Sequence, residues 1–212
     1  MTAVGPIKAV VFDMDGVLVD AKEWHFEALN RALQLFGYSI DRYDHVFTYD
    51  GLPTRRKLEV LSRDSGLPTA LHPFINELKQ SYTVEIAHAR CRPNFQHEYA
   101  LSRLKADGYL LAVASNSIRG TVELLMEKAR LRSYLNVLMS NEDVKAPKPD
   151  PEIYHKTFAA LGVTAAQCLV LEDNEHGLQA ARASGAHVME VETVEAVTYE
   201  NIMSHLQRLG AA

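Results

Sequence analysis

The sequence predicts an α/β fold, in which a parallel sheet carries helices on both faces and a small helical unit follows the first strand. Three observations predict it. Residues 7–12 (IKAVVF) form a short apolar run typical of a strand buried on both faces. From residue 94 onward helical and strand patterns alternate, which indicates parallel strands joined by crossover helices. Between these parts, residues 41–90 show helical patterns and no convincing strand.

The first predicted helix spans residues 20–36. Asp20 and Glu23 have the spacing of a capping box, and an apolar band runs along one side of the helix. Gly37 predicts its end, because glycine is common just after a helix. With residues 41–90, this helix forms a candidate separate unit.

The later part of the chain is predicted to alternate in regular order. The expected helices cover residues 94–106, 118–130, 151–161 and 176–183. The expected strands cover residues 109–115, 135–140, 168–173 and 187–191. In such sheets, functional sites lie just beyond the carboxyl ends of the strands.

Composition and charge exclude some functions. The chain has 212 residues, of which 47% are hydrophobic and 23% are charged, with a formal net charge of −5. The length suits one compact domain, or one core with a smaller insertion, and the composition is that of an ordinary globular protein. The acidic balance argues against broad binding to nucleic acid or to anionic membranes, and leaves a small anionic substrate open.

The two cysteines, Cys91 and Cys168, are too few for a disulfide framework. We expect a small buried hydrophobe at Cys168 and an ordinary loop cysteine at Cys91, although neighbouring arginines could lower a thiol pKa there. The start of the chain lacks the pattern of a signal peptide, and no apolar run reaches the ~18 residues of a membrane span. We therefore expect a cytoplasmic protein, with a monomer as the default.

Two carboxylates follow the first strand, in the sequence DMDG. Asp13 and Asp15 would repel each other unless a proton or a cation lies between them. A hard divalent cation such as Mg²⁺ would stabilise both and would offset the charge of a phosphate ester. Asp-Gly pairs are also common in turns, so DMDG alone is a weak signal.

The next strands end in a hydroxyl, a lysine and a second acid pair. Ser115 and Asn116 could cradle a phosphate with a hydroxyl and backbone N–H groups, or a serine could simply cap the following helix. Lys148 stands in a proline-stiffened loop as a point charge for phosphate, with Lys145 as a second candidate and plain solvation as the alternative. Glu172 could complete a metal site with the acid that follows it.

The acid that follows Glu172 is Asp173, which could equally cap the next helix. Taken together, the four strand ends offer an acid pair, a hydroxyl, a lysine and an acid pair in order.

The chain closely resembles the haloacid dehalogenase superfamily over almost its whole length. The resemblance rests on four motifs, DMDGVLVD (13–20), ASNS (114–117), KPDPEIY (148–154) and LEDNEHG (171–177).

This resemblance implies a Rossmann-like core and a role for each motif residue. Asp13 would be the nucleophile that forms an aspartyl-phosphate, and Asp15 the general acid and then base. Ser115, Asn116 and Lys148 would bind the phosphoryl group. Mg²⁺ would be held by Asp13, the main-chain carbonyl of Asp15, Asp173 and Glu172, the last directly or through water. A second acid at Asp15 argues against true dehalogenase chemistry.

The resemblance also implies a small helical cap that excludes water during transfer. We expect the core domain to comprise residues 1–18 and 89–212, and the cap residues 19–88. In the cap, His25 could lie near the general acid or could pack beside Trp24. The loop DGLPTRRK (50–57) resembles a substrate-specificity loop.

The cap offers four further candidates for substrate binding. Thr54 stands where β-phosphoglucomutases carry an arginine for the second phosphate, which weakens the mutase interpretation. Arg55 and Arg56 follow and could bind an anion bidentately or could be solvated. Lys79 is a candidate of the same kind.

The expected function is a Mg²⁺-dependent phosphatase for a small phosphorylated metabolite such as a sugar phosphate. The alternative is a sugar phosphomutase of the β-phosphoglucomutase type. A third, from another class, is a non-catalytic binding domain on the same fold. No nucleic acid or membrane partner is expected.

Overall fold

A computed structural model describes residues 6–49 and 51–210 and has the predicted α/β architecture. Its five-stranded parallel sheet has the order β3-β2-β1-β4-β5. The strands are β1 (Ala9–Phe12), β2 (Leu110–Ala114), β3 (Val137–Met139), β4 (Cys168–Glu172) and β5 (His187–Glu190). The strand β1 is central, so the polar residues that follow it emerge in the middle of the sheet edge.

Helices cover both faces of the sheet, as predicted. The core helices are α5 (Phe95–Ala106), α6 (Arg119–Lys128), α7 (Glu152–Leu161), α8 (Glu175–Ala183) and α9 (Tyr199–Gly210). On one face, Val10 and Phe12 pack with side chains of α5, α6 and α9. On the other, Ala9 and Val11 pack with side chains of α7 and α8. Strand side chains alternate between the two faces, so β1 is completely buried.

The predicted helical unit after β1 has an apolar core of its own. It comprises α1 (Lys22–Gln34), the single turn α2 (Arg42–Asp44), a π-helical turn (His45–Tyr49), α3 (Thr54–Ser65) and α4 (His72–Arg90). Leu33, Leu58 and Ile75 are among the side chains buried between these helices. A helical cap on the sheet is therefore present, while the precise domain limits stay a prediction.

The capping box predicted at Asp20 is wrong. The helix α1 begins at Lys22, and Ala21 stands at its N-terminus without a capping side chain. The chain before it is held instead by backbone hydrogen bonds, such as Gly16 N–H to the Val19 carbonyl at 2.8 Å. The Ala21 N–H also donates to the Val19 carbonyl at 2.9 Å, and the helix begins one residue later than a capping box at Asp20 requires.

Other sequence expectations are corrected by packing. Cys91 is the first residue of the loop after α4, as expected, but it is buried in the apolar core, where burial raises the pKa of its thiol and outweighs the neighbouring Arg92. Burial also raises the pKa of the predicted hydrophobe Cys168, to about 12. The helix α9 was not predicted from the sequence. Across the described ranges, no helix has the length and apolarity needed to cross a membrane.

Candidate active site

The site lies between the carboxyl edge of the sheet and the cap. It is a cavity of about 440 Å³, with the first acid pair at its core end and side chains of α1, α3 and α4 at its cap end. Nine candidate site residues from the sequence line this cavity: Asp13, Asp15, His25, Thr54, Arg55, Lys79, Ser115, Asn116 and Lys148. Glu172 and Asp173 do not line it but lie close to Asp13, and Arg56 and Lys145 do not line it either. Asp50, the first residue of the predicted specificity loop, falls outside the described residues.

Lys148 joins the first acid pair to the second. Its ammonium donates to Asp13 Oδ1 at 2.6 Å, to Glu172 Oε1 at 2.6 Å and to the Ala114 carbonyl at 2.7 Å. Tyr154 also donates to Glu172 Oε1. These side chains are buried, so each charge depends on its partners rather than on water.

Burial raises the pKa of Asp13, and the charges of Glu172 and Asp173 raise it further, although Lys148 opposes them. Burial likewise raises the pKa of Asp173 in spite of Lys22. By contrast, the two acids around Lys148 raise its pKa and outweigh burial, so the lysine stays charged. Full ionisation of these three carboxylates would therefore give more negative charge than Lys148 and Lys22 offset.

This acid cluster fits a hard divalent cation. Oxygen atoms of Asp13, Glu172 and Asp173 lie within 4.8 Å of one another. Gly16 makes this possible, because its φ of +94° turns the chain, and a Cβ there would lie 1.9 Å from Asp173 Oδ2. The carboxylate of Asp15 is not part of the cluster, as expected if only its carbonyl is a ligand. A set of oxygen ligands with excess negative charge suits Mg²⁺.

Asp15 instead faces the cap. Its Oδ2 accepts from Ser117 Oγ at 3.0 Å, and its Oδ1 lies 3.1 Å from His25 Nε2, although the ring N–H does not point along that line. Burial alone would raise its pKa, but His25, Ser117 and Lys79 together outweigh burial and lower it. Asp15 is therefore held as a carboxylate.

His25 lies between Asp15 and Lys79, whose ammonium is 3.2 Å from His25 Nδ1. Burial lowers the pKa of His25, and the charges of Lys79 and Lys57 lower it further. His25 therefore contacts polar groups on both sides of its ring, and its role beside Asp15, the candidate general acid, stays a prediction. Lys79 is buried, and burial together with the charge of Lys57 lowers its pKa to about 8.

The loop after β2 and the loop before α7 are joined through Asn116. Its Oδ1 accepts from the Lys148 backbone N–H at 3.0 Å, and its Nδ2 donates to the carbonyl of Gly51 in the cap at 3.1 Å. Ser115 is buried, and its Oγ accepts from the Ser117 backbone N–H at 3.0 Å. The N-terminus of α6 has no capping side chain, so the hydroxyl of Ser115 does not cap that helix.

The cap arginines are largely exposed, unlike the buried Lys79. Arg55 lines the rim of the cavity, but its side chain is 88% exposed and pairs with Glu59 at 3.2 Å. Arg56 pairs with the same glutamate at 2.8 Å. Thr54 begins α3 and lines the cavity. In the core, Lys145 is exposed and does not line the cavity.

Sequence reasoning missed three polar contributors. Lys22 pairs with Asp173 Oδ2 at 2.6 Å, and it stands one helical turn before His25, which was the available signal. Ser117, inside the SNS motif, contacts the general acid candidate. Asn174 rather than Asp173 caps α8, accepting from the Gly177 N–H at 3.0 Å, which removes the capping alternative for Asp173.

Three comparisons with known proteins find a family, relatives and similar folds for this chain. Residues 10–191 match the profile of a family described as haloacid dehalogenase-like hydrolase. A phosphorylated carbohydrates phosphatase of Thermotoga maritima is 30% identical over 184 residues, covering 84% of this chain and 82% of that protein. A fructose-1-phosphate phosphatase of Escherichia coli is 27% identical over 185 residues, covering 86% and 95%.

A crystal structure of β-phosphoglucomutase from Clostridium difficile has the same fold. It superposes with a TM-score of 0.85 and covers 97% of this chain and 100% of that chain. The two sequences are 18% identical, so this likeness concerns the fold alone.

Proposed function

Because this chain belongs to the haloacid dehalogenase-like hydrolase family and is a phosphoric monoester hydrolase, we propose that it is a Mg²⁺-dependent phosphatase of a small phosphorylated metabolite. The substrate class we infer is a sugar phosphate or a compound of similar size. The observation that carries the proposal is the pair of carboxylates on one turn, of which Asp13 contacts Lys148 and Asp15 faces the cap.

In the first half of the reaction, a carboxylate oxygen of Asp13 attacks phosphorus and the ester P–O bond breaks. The departing oxygen takes a proton from Asp15, and the phosphoryl group stays on Asp13 as an acyl phosphate. Ser115 and the backbone of Asn116 hold phosphoryl oxygens, and Lys148 offsets their charge. In the second half, a water gives a proton to Asp15 and attacks phosphorus. The bond between phosphorus and the Asp13 oxygen breaks, which releases inorganic phosphate and restores the Asp13 carboxylate.

Asp15 must be protonated before the first half and ionised before the second. Its lowered pKa favours the second state. His25, at 3.1 Å, is the neighbouring group that can exchange a proton with it. We therefore assign His25 a positioning and proton-exchange role beside the general acid.

Mg²⁺ would be held by the carboxylates of Asp13 and Asp173 and the carbonyl of Asp15, with Glu172 direct or through water. When bound, it would offset the negative charge of the acids and of the phosphoryl oxygens. The excess of acids over lysines at this end of the cavity supports that assignment.

The test is turnover of a generic aryl phosphate by the purified protein with and without Mg²⁺. We expect release of inorganic phosphate that depends on Mg²⁺ and a trapped aspartyl-phosphate on Asp13. No release and no trapped adduct would refute the phosphatase. Conversion of β-glucose 1-phosphate to the 6-phosphate without loss of phosphate would replace it with the mutase.

A screen of phosphorylated sugars would then define the substrate. Thr54 and Lys79, which lie inside the cavity, remain our candidates for contacts with the part of the substrate that is not transferred. Arg55 lies at the rim of the cavity and is paired with Glu59, so we expect little contribution from it.

A further inference from the structure

Two lysines pair with the carboxylates at the core end of the cavity, and they differ in how firmly they are held. Lys148 is 2% exposed and donates to Asp13, to Glu172 and to a backbone carbonyl. Lys22 pairs with Asp173 at 2.6 Å, but its side chain is 34% exposed, whereas that of Asp173 is 2% exposed. The ammonium of Lys22 can therefore move into water at a small free-energy cost, while the carboxylate cannot.

The pair of Lys22 and Asp173 lies against the turn at Gly16. A Cβ on Gly16 would lie 2.6 Å from Lys22 Cε and 1.9 Å from Asp173 Oδ2, so glycine leaves room for both side chains. Lys22 is the first residue of α1, so the pair joins the helical cap to the core. His25, one turn further along α1, lies 3.1 Å from Asp15. A single turn of α1 thus contacts both the acid cluster and the candidate general acid.

Asp173 contacts Lys22 and is also one of the three acids that we assign to Mg²⁺, with Asp13 and Glu172. If all three acids are ionised, Lys148 and Lys22 leave one negative charge, which a divalent cation would exceed. If Lys22 withdraws, two negative charges remain, and a divalent cation would balance them. Electrostatics therefore favour Mg²⁺ or Lys22 at Asp173, rather than both together.

We propose that Lys22 is an internal counter-cation that competes with Mg²⁺ for Asp173, so that loading of the metal draws the ammonium of Lys22 away from the core. This inference rests on the proposed Mg²⁺-dependent function and adds a regulation of the same site. Coupling between two binding events is reciprocal, so Mg²⁺ weakens the contact between α1 and the core by the factor by which that contact weakens Mg²⁺ binding. The cap and the metal site are thus coupled through one ion pair.

A purely structural role for Lys22 predicts the opposite effect on the metal. If Lys22 served to orient Asp173 as a ligand, its removal would weaken Mg²⁺ binding. If Lys22 competes with the metal, its removal strengthens Mg²⁺ binding. The affinity for Mg²⁺ therefore separates the two roles without any measurement of turnover.

The experiment titrates Mg²⁺ calorimetrically into protein from which metal has been removed with a chelator. In Lys22→Met, which keeps the aliphatic chain and removes the charge, the Kd for Mg²⁺ should fall by about threefold or more. Lys22→Arg keeps the charge, so its Kd should lie closer to that of the wild type than to that of Lys22→Met. Lys145→Met, in which an exposed core lysine is removed, is the matched control and should keep the wild-type Kd.

The competition is overturned if the Kd of Lys22→Met falls by less, stays unchanged or rises. A Lys22→Arg protein that binds Mg²⁺ as tightly as Lys22→Met would also overturn it, because the effect would then not depend on charge. Circular dichroism verifies the fold of each variant. Lys22→Gln takes the place of Lys22→Met if the methionine variant does not fold.

Unfolding in urea gives a second readout that needs no turnover. In the presence of the chelator, Lys22→Met leaves the buried carboxylate of Asp173 without this ammonium, so its urea midpoint should lie below that of the wild type. At saturating Mg²⁺ the difference should shrink, because the bound metal replaces the lost charge. A difference that is the same with and without Mg²⁺, or no difference in either condition, would contradict the exchange of cations.

The outcomes distinguish this inference from the proposed function. Absence of Mg²⁺-dependent aryl phosphate turnover would refute the proposed function, and the Kd values would still decide the role of Lys22. Mg²⁺-dependent turnover with the same Kd in the wild type and Lys22→Met would overturn the role of Lys22 alone. Absence of Mg²⁺ binding to both proteins would overturn both.

Discussion

At the core end of the cavity, opposite charges alternate: Asp13, Lys148 and Glu172 are joined at hydrogen-bonding distance and buried. At the cap end, Lys57 and Lys79 carry charges of the same sign, and the charge of Lys57 contributes to lowering the pKa of Lys79 and of His25. The core end is therefore held by paired opposite charges, whereas burial and a like charge act together on Lys79 at the cap end. We infer that the sheet edge carries the chemistry, and we propose that the cap selects the substrate.

Loss of the Asp13 carboxylate should lower the turnover rate more than any other substitution in either region. We expect Asp13→Asn to lower kcat for an aryl phosphate by about 10⁴-fold or more, because an amide cannot replace the nucleophile. Phosphate release measures the effect, and circular dichroism verifies the fold. Asp20→Asn, at an exposed aspartate beside the cap, is the control. Appreciable residual turnover in Asp13→Asn would show that another group makes the attack.

Removal of Lys148 tests whether the core end depends on alternating charge. Lys148→Met leaves two buried carboxylates without their ammonium, so the free energy of unfolding should fall by about 3 kcal/mol and kcat by about 10³-fold. Urea unfolding and phosphate release measure the two effects. Lys145→Met should change neither. A Lys148→Met protein as stable as the wild type would contradict the preorganised core.

Removal of Lys79 should raise the free energy of unfolding at neutral pH, whereas removal of Lys148 should lower it. Its folded pKa is about 8 against an ordinary 10.5, so between these values the unfolded chain binds more protons than the folded chain. The stability of the wild type relative to Lys79→Met should therefore rise from pH 8 to 10.5, by at most about 3 kcal/mol, and be lowest below pH 8. Urea unfolding across this range measures it, and a pH-independent difference would contradict the assignment.

The same variant should change His25. Because the charge of Lys79 adds to burial in lowering the pKa of His25, Lys79→Met should raise that pKa. An NMR titration of the imidazole measures the shift directly. In Lys145→Met the pKa of His25 should match the wild type. An unchanged pKa of His25 in Lys79→Met would show that the charge of Lys79 does not act on His25.

The smallest effect is expected at the rim of the cap. Arg55 is largely exposed and already paired with Glu59, so Arg55→Met should change kcat/KM by less than about twofold. The steady-state kinetics of the preferred substrate measure this. A loss greater than tenfold would restore the arginine loop as the specificity element.

Much of the core end was predictable from the sequence because parallel strands bring their carboxyl ends to one edge. Asp13, Ser115 and Glu172 each follow or end a buried strand, so strand prediction alone brings them together. Lys148 was identified by its loop, but its three-way contact with Asp13, Glu172 and the Ala114 carbonyl needed the structure.

The cap was less predictable, because helical periodicity says which side of a helix is apolar and not which helix lies opposite. Lys57 follows two exposed arginines and gave no separate signal, yet it faces the cavity. Lys79 was predicted as a weak candidate and proves to be buried beside His25.

By itself the sequence determined the fold class, the order of the four motifs and the acid–hydroxyl–lysine–acid chemistry at the sheet edge, because local hydrophobic patterns and strand ends carry that information. Tertiary structure alone decided which charges meet across the cavity. Packing of α1, α3 and α4 places Asp15 against His25 and Lys79 against Lys57, although these residues are far apart in the chain. Electrostatic interactions depend on distance in space, and that distance is set only when the helices pack.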